Sequence, residues 1–204
     1  MSDIAASRIA APESRLVATL GDRSIVLVGM MGAGKSSVGR RLANRLGIPF
    51  VDADCEIEAR AAMTIPEYFE RHGEQAFRSG EARVIANLLH HGPQVLATGG
   101  GAFMNTDTRA AVQRHGVAVW LKADYEVLLR RVKRRSDRPM LKTANPAETL
   151  KELLAMRDPV YALADITVSS REVPHETIVN ETIAALVDWL DRRDGAAPRS
   201  EGVP

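Results

Sequence analysis

Short apolar runs alternate along the chain with stretches whose apolar residues recur at helical spacing. Five of these runs have the length and composition of buried strands, and helical stretches lie between them. The predicted strands are Ile25–Gly29, Pro49–Asp52, Gln94–Thr98, Val117–Leu121 and Asp165–Ser169. This alternation predicts an α/β protein whose five-stranded parallel sheet is flanked by helices. Ligands should then bind at the carboxyl ends of the strands.

Local signals mark some helix ends. Thr64-Ile65-Pro66-Glu67 has the form of a capping box, which predicts a helix over Ile65–Arg71 that ends near Gly73. Gly47 follows an amphipathic stretch and predicts a helix stop there. The polar, proline-bounded stretch Lys133–Pro146 predicts a loop outside the sheet that could act as a lid.

Length and composition fit one soluble domain. The chain has 204 residues, of which 45% are hydrophobic, and its net charge is +1. We therefore expect a single domain over residues 24–192, with a poorly ordered extension at 1–23 and a frayed tail at 193–204. Residues 1–23 lack the apolar core of a secretory signal, and no apolar run approaches the roughly 20 residues of a membrane span.

The single cysteine, Cys55, cannot form an internal disulfide, which favours the reducing cytoplasm. A net charge near zero gives no general case for nucleic acid or a membrane surface as partner. We expect a monomer that acts on a small molecule.

The segment from Gly29 to Ser36 matches the phosphate-binding loop pattern G-x-x-x-x-G-K-[ST]. Glycines 29, 32 and 34 permit left-handed backbone and leave room for phosphate. Loop N–H groups and the following helix N-terminus attract phosphate, Lys35 reaches the β- and γ-phosphates, and the Ser36 hydroxyl binds Mg²⁺. A strand before the loop and a helix after it give the motif its expected context.

Two carboxylates, Asp52 and Asp54, follow the second predicted strand. One could hold Mg²⁺ and the other could accept a hydrogen bond from a substrate hydroxyl, with a helix N-cap at Asp54 as the structural alternative. Three glycines in Thr98–Ala102 follow the third strand and would let a ligand approach the backbone. The sequence lacks the Asp-Glu of water-activating ATPases and the guanine-binding motif of GTPases, which favours transfer to a small acceptor.

A basic run extends from Arg130 to Arg138. It could be a solvated helix end, and a nucleic-acid surface is a second interpretation, although aromatic residues are not interleaved with the charges. Arg138, held before Pro139 in the predicted lid, could stabilise charge on a transferring phosphoryl group.

Taken together, these segments resemble shikimate kinases. The resemblance rests on G-M-M-G-A-G-K-S-S-V-G-R-R-L-A, F-V-D-A-D, G-E-Q-A-F-R, T-G-G-G-A, D-R-P-M-L and M-R-D-P-V-Y, in the family's order and spacing, between about Ile25 and Leu190. It implies a P-loop kinase fold with a substrate-binding helical segment after Asp54 and a lid near Lys133–Pro146. It also implies the reaction of ATP with shikimate to give ADP and shikimate 3-phosphate, a step of aromatic amino-acid biosynthesis.

The resemblance also assigns roles to individual residues. The ATP site would comprise Gly32, Ala33, Gly34, Lys35, Ser36, Ser37, Arg131 and Arg138. The magnesium ligands would be Ser36 and Asp52, and the shikimate site would comprise Asp54, Arg78, Gly100 and Arg157. Lys35, Asp54 and Arg138 would be the catalytic residues. The alternative is another small-molecule kinase of similar fold, acting on gluconate or a nucleoside monophosphate.

Overall fold

The structure, a computed structural model, describes residues 12–133 and 145–196. The described part contains five β-strands, eight α-helices and a short 3₁₀ helix at Ala102–Met104. In chain order the elements are α1 (Pro12–Leu20), β1 (Ser24–Val28), α2 (Lys35–Leu46), β2 (Phe50–Asp52), α3 (Ala53–Ala61), α4 (Ile65–Leu89), β3 (Val95–Ala97), α5 (Thr106–His115), β4 (Gly116–Lys122), α6 (Tyr125–Lys133), α7 (Pro146–Tyr161), β5 (Ile166–Ser169) and α8 (His175–Ala196).

The five strands form one parallel sheet in the order β2-β3-β1-β4-β5, which confirms the predicted fold class. The central strand β1 is buried at every position, because helices cover both faces of the sheet. Val28 pairs with Trp120 at the last register position of β1. The phosphate loop therefore leaves the sheet at the carboxyl edge of its central strand.

The helix signals are confirmed in detail. Thr64 and Glu67 form the reciprocal capping box at the start of α4, and Gly47 ends α2 with φ 66°. Gly73 has φ 77° and ψ 169°, which interrupts the helical path of α4 where the sequence predicts an end. The chain then resumes as helix to Leu89, so the second half of α4 carries residues of G-E-Q-A-F-R.

The prediction for residues 1–23 is wrong for the part that the structure describes. Pro12–Leu20 form α1, whose Leu16 and Leu20 are each only 2% exposed within the main hydrophobic core. Arg45 of α2 and Glu13 form an ion pair across this packing. The two leucines are four residues apart, a helical spacing that a short segment without strong capping signals concealed.

At the other end, α8 continues to Ala196, beyond the predicted domain boundary at 192. Of the predicted lid, only its flanks are described: α6 ends at Lys133, and Asn145 caps α7 by accepting from the Glu148 N–H. Arg138 and the rest of the predicted lid lie outside the described residues, so the lid stays a prediction. Within the described ranges, no helix is both long and apolar enough to cross a membrane.

Candidate active site

The phosphate loop adopts backbone that only glycine takes easily. Gly29, Gly32 and Gly34 have φ of 132°, 83° and 92°. A Cβ on Gly29 would also lie 2.7 Å from the Leu121 carbonyl oxygen, so the loop could not pass β4 with another residue there. Lys35 is 9% exposed and its Nζ donates to the carbonyl oxygens of Gly29 and Met30 at 2.7 and 3.0 Å. The ammonium is thus held against the phosphate-binding loop by the loop's own carbonyl oxygens.

Ser36 and Asp52 meet at the edge of this loop. The Ser36 hydroxyl donates to Asp52 Oδ2 at 2.7 Å, which joins the first turn of α2 to the end of β2. Both groups are hard oxygen donors beside a phosphate cradle, which is the donor set that Mg²⁺ shares with substrate phosphates and water. The residues present therefore fit a magnesium ion.

Asp52, rather than Asp54, is the N-cap of α3. Its Oδ1 accepts from the Asp54 N–H at 3.2 Å, while Oδ2 accepts from Ser36. The capping alternative at Asp54 is therefore wrong, because the helix begins at Ala53 and places Asp54 in its first turn. The carboxylate of Asp54 instead reaches the loop that follows β3.

The three glycines after β3 are packed against charged side chains. A Cβ on Gly99 would lie 2.7 Å from Glu81 Oε1 and 2.8 Å from Asp54 Oδ1. A Cβ on Gly101 would lie 2.5 Å from the guanidinium carbon of Arg78. These contacts explain why more than one glycine stands here, since a single turn glycine would not admit both carboxylates and the guanidinium.

Arg78 is positioned by a buried carboxylate that sequence reasoning did not single out. Glu81 is 1% exposed, and its Oε2 accepts from Arg78 at 2.8 Å. Burial raises the pKa of the Glu81 carboxyl, and the neighbouring Asp54 adds to that rise, while Arg78 opposes it. Burial alone would lower the pKa of Arg78, but Glu81 and Glu74 outweigh it and raise that pKa. Arg78 therefore remains a cation at this site.

Arg157 approaches the same glycines from α7. It is 5% exposed, and its guanidinium donates to the Gly100 carbonyl at 3.3 Å. Tyr161, one helical turn further on, is fully buried and donates to the same carbonyl. The sequence reasoning missed Tyr161, although its i+4 spacing from Arg157 places it on the same helix face.

Two adjoining cavities collect these residues. The larger, about 660 Å³, is lined by the phosphate loop, Asp52, Arg131 and the segment after β5. The smaller, about 90 Å³, is lined by Asp54, Arg78, Glu81, Arg157 and the glycines 99–101, together with apolar side chains that include Phe69 and Phe77. Asp54 and Gly100 line both cavities, so they stand where the two meet.

Arg131 and Ser170 line the larger cavity and bond to the phosphate loop. Arg131 donates to the Gly32 carbonyl at 3.2 Å, to Ser170 Oγ at 3.0 Å and to the Arg171 carbonyl at 2.8 Å. Ser170 in turn donates to the Ala33 carbonyl at 2.7 Å. These bonds tie the phosphate loop to the chain after β5, and Ser170 was not among the predicted site residues.

The structure thus brings the predicted residues together in two groups. One group lines the large cavity at the phosphate loop, and the other lines the small cavity around Gly100. The first contains Gly32, Gly34, Lys35, Ser36, Ser37, Asp52 and Arg131, with Ala33 buried in the loop itself. The second contains Asp54, Arg78, Gly100 and Arg157.

Comparison with known proteins agrees with this geometry. A model of the shikimate kinase family matches residues 31–187, which is more than half of the chain. The chain belongs to the shikimate kinase family. It is accordingly an ATP- and Mg²⁺-dependent phosphotransferase that acts on shikimate.

Individual relatives extend the match over nearly the whole chain. A curated shikimate kinase of Bradyrhizobium diazoefficiens is 59% identical over 201 residues, which are 98% of this chain and 97% of that protein. One of Rhodopseudomonas palustris is 63% identical over 178 residues, 87% of this chain and 88% of that protein.

Solved structures separate the family from its fold neighbours. Shikimate kinase from Acinetobacter baumannii, solved in complex with shikimate, has a TM-score of 0.80 at 37% identity, covering 85% of this chain and 97% of that one. A gluconokinase from Sinorhizobium meliloti has a TM-score of 0.59 at 20% identity, covering 86% of this chain and 98% of that one. The second likeness shows the shared fold alone, and the gluconate alternative gains no support from it.

Proposed function

We propose that the two cavities divide the reaction between them, with ATP in the larger one and shikimate in the smaller one. The observation that carries this proposal is the convergence of Asp54, Arg78 and Arg157 around glycines 99–101, beside the phosphate loop. A carboxylate on the acceptor meets two guanidinium groups there, and a hydroxyl of the same molecule meets a carboxylate.

On the nucleotide side, the loop N–H groups of residues 32–37 cradle the phosphates. Lys35 supplies a positive charge to the β- and γ-phosphates, and Arg131 lies beside the nucleotide where its guanidinium can face the adenine. Ser36 and Asp52 would hold Mg²⁺, which would neutralise phosphate charge when bound. Arg138 would add a further cation from the predicted lid.

On the acceptor side, Arg78 and Arg157 bind the carboxylate of shikimate. A guanidinium offers paired donors in a plane that match the two carboxylate oxygens. Glu81 fixes the position of Arg78, and the Gly100 backbone contacts the ring of the acceptor. The cyclic acceptor also meets the apolar edges of the small cavity, including Phe69.

Transfer then requires alignment more than covalent help from the protein. Asp54 stands where the cavities meet, so it orients the 3-hydroxyl of shikimate toward the γ-phosphate and accepts its proton as the new O–P bond forms. The bond from the γ-phosphorus to the bridging oxygen breaks, and ADP leaves with that oxygen. A loose transition state demands charge neutralisation, which Lys35 supplies, and in-line geometry, which Asp54 supplies by orienting the hydroxyl.

We also infer that the protein works as a monomer in the cytoplasm, without nucleic acid. In the described part of the basic run, Arg130 pairs with Glu172 and Arg131 bonds to the phosphate loop, so both side chains have internal partners. This supports a structural and nucleotide-binding use of the run. Sedimentation of the purified chain with and without an oligonucleotide would test the monomeric state and the lack of nucleic-acid binding.

The direct test of the function is ADP release from ATP with shikimate, gluconate, a nucleoside monophosphate or no acceptor. We expect release to depend on shikimate, with phosphate recovered on its 3-hydroxyl. Equal release without an acceptor, or preference for another acceptor, would contradict the proposal.

A further inference from the structure

Tyr161 lies behind Gly100, which lines the acceptor cavity. The residue is fully buried on α7, and its ring packs against Trp120 with 5.9 Å between ring centroids. Its hydroxyl donates to the Gly100 carbonyl and lies 3.9 Å from the sulfur of Met30 in the phosphate loop. One hydroxyl therefore touches both loops that build the site.

Arg157 and Tyr161 share that carbonyl. The two side chains lie four residues apart on one face of α7. The bond from Arg157 to the Gly100 carbonyl is long, at 3.3 Å, and Tyr161 is a second donor to the same carbonyl. The Arg157 guanidinium is therefore only weakly bound to Gly100, because a bond of this length is near the upper limit for a hydrogen bond.

The hydroxyl keeps its proton throughout the working pH range. Burial raises the pKa of Tyr161 to about 12, although Arg157 acts in the opposite direction. Tyr161 is therefore a permanent donor to Gly100, and it does not act as a base in the reaction.

We propose that Tyr161 is a positioning residue for the acceptor: by satisfying the Gly100 carbonyl, its hydroxyl fixes the glycine loop and leaves the Arg157 guanidinium available for the acceptor's carboxylate. Without the hydroxyl, the carbonyl would still require a donor because it lies against buried side chains. The nearest remaining donor is Arg157, which would turn toward Gly100 and away from the ligand. This role rests on the proposed binding of shikimate in the small cavity.

The test is steady-state kinetics of Tyr161→Phe with shikimate and with its methyl ester. We expect the KM for shikimate to rise about five- to tenfold, the loss expected for one buried hydrogen bond, while the KM for ATP stays unchanged. The ester cannot use the full charge of Arg157, so its KM should rise less. The preference for acid over ester should therefore fall, which a purely structural defect would not cause.

Tyr125→Phe is the matched control. Its hydroxyl donates to the Ala147 carbonyl at the start of the same helix, at 3.2 Å and outside the acceptor cavity, so its removal should change neither KM. A double change of Tyr161→Phe with Arg157→Lys should be non-additive in shikimate affinity, because both act on one carbonyl and one ligand group.

Several results would overturn the proposal. One is an unchanged shikimate KM in active Tyr161→Phe, and another is an equal rise in the KM values for acid, ester and ATP. A third is a Tyr161→Phe chain that does not fold even with saturating ADP and shikimate, which would mean that the hydroxyl serves stability alone. Native enzyme that releases no ADP in response to shikimate would instead contradict the proposed function, so the two failures are distinguishable.

Discussion

Arg78 donates a 2.8 Å hydrogen bond to Glu81, and the carboxylate that receives it is almost completely buried beside Asp54. The second oxygen of Glu81, Oε1, receives no hydrogen bond from the residues that the structure describes. A buried anion with one oxygen unsatisfied lowers stability, yet it sets the guanidinium that is proposed to bind the acceptor. The position of the Arg78 guanidinium is therefore fixed at some loss of stability.

The first prediction concerns pH and Glu81→Gln. Burial raises the pKa of Glu81 in the folded protein, so the folded state holds this proton more firmly than the unfolded chain. The protonated Glu81 carboxyl makes its full contribution to the free energy of unfolding below the pKa of the unfolded chain, about 4.3. This contribution is lost as the pH rises through the pKa of Glu81 in the folded protein. Glutamine does not titrate. The free energy of unfolding of the Glu81→Gln variant should therefore rise relative to that of the native protein between about pH 4 and about pH 8.

Urea unfolding of both proteins at several pH values measures this gain. Glu74→Gln is the control, because Glu74 is a more exposed partner of the same arginine and its replacement leaves Glu81 in place. If the native protein instead becomes more stable relative to Glu81→Gln as the pH rises, the ion pair with Arg78 outweighs the effect of burial on the pKa of Glu81. The variant should also bind shikimate more weakly, since Arg78 loses its charged anchor.

The second prediction concerns Gly101→Ala. The added Cβ would fall 2.5 Å from the Arg78 guanidinium carbon, so the guanidinium must move. Gly101 has φ −97°, which alanine accepts, and the effect is therefore steric rather than conformational. We expect the shikimate KM to rise about tenfold or more, with the KM for ATP little changed.

Gly80→Ala provides the comparison for that kinetic measurement. Its Cβ would meet only the Tyr68 hydroxyl at 3.8 Å, an ordinary contact on a helix. Gly80→Ala should leave both KM values unchanged and should not destabilise the helix, since alanine has the higher helix propensity. Equal kinetics in the two variants would contradict the close packing of Arg78 on Gly101.

Much of this site follows from local sequence signals, because strand ends in a parallel sheet converge on one edge. The loop at Gly29, the carboxylates after β2 and the glycines after β3 could therefore be placed together before any coordinates. Glu81 and Tyr161 could not be singled out in that way. Each lies one helical turn after a recognised arginine, but only packing distinguishes a buried i+3 or i+4 partner from a solvated one.

The N-terminal helix shows a different limit. The pair Leu16 and Leu20 is too short a pattern to predict a helix in isolation, since isolated helices of nine residues are marginal in water. Burial against α2 and α8 stabilises it, and such tertiary packing is not visible in the local sequence. By contrast, the Thr64 capping box satisfies its own backbone groups, and that helix start was predictable.

The third prediction follows from this packing. Leu16→Ala should lower the free energy of unfolding by about 2–5 kcal/mol, the usual cost of truncating a buried leucine. Because α1 does not line either cavity, kcat and both KM values should stay native at a temperature where the variant is folded. Ser14→Ala, on the exposed face, should change neither stability nor kinetics. Loss of activity in folded Leu16→Ala would assign α1 a role in the site.

The fourth prediction concerns Lys35→Ala. The ammonium acts on phosphate charge, so its removal should reduce kcat by at least about 10²- to 10³-fold, as loss of a charge-stabilising group does elsewhere. Circular dichroism and thermal unfolding would confirm that the variant is folded. Lys122→Ala, which removes a surface ammonium over Trp120, should retain native kcat. Full activity of folded Lys35→Ala would overturn the phosphate-loop assignment.

The central claim is that Arg78 and Arg157 hold the acceptor's carboxylate while Asp54 faces its hydroxyl. Its most direct test is the KM for shikimate, for shikimate methyl ester and for ATP in the native enzyme, Arg78→Lys and Arg157→Lys. Each lysine variant should raise the shikimate KM strongly and leave the KM for ATP nearly unchanged, and the ester should be a poor substrate that loses little more in the variants. Turnover of the ester as efficient as that of the acid, or loss of ATP affinity in place of shikimate affinity, would contradict the account.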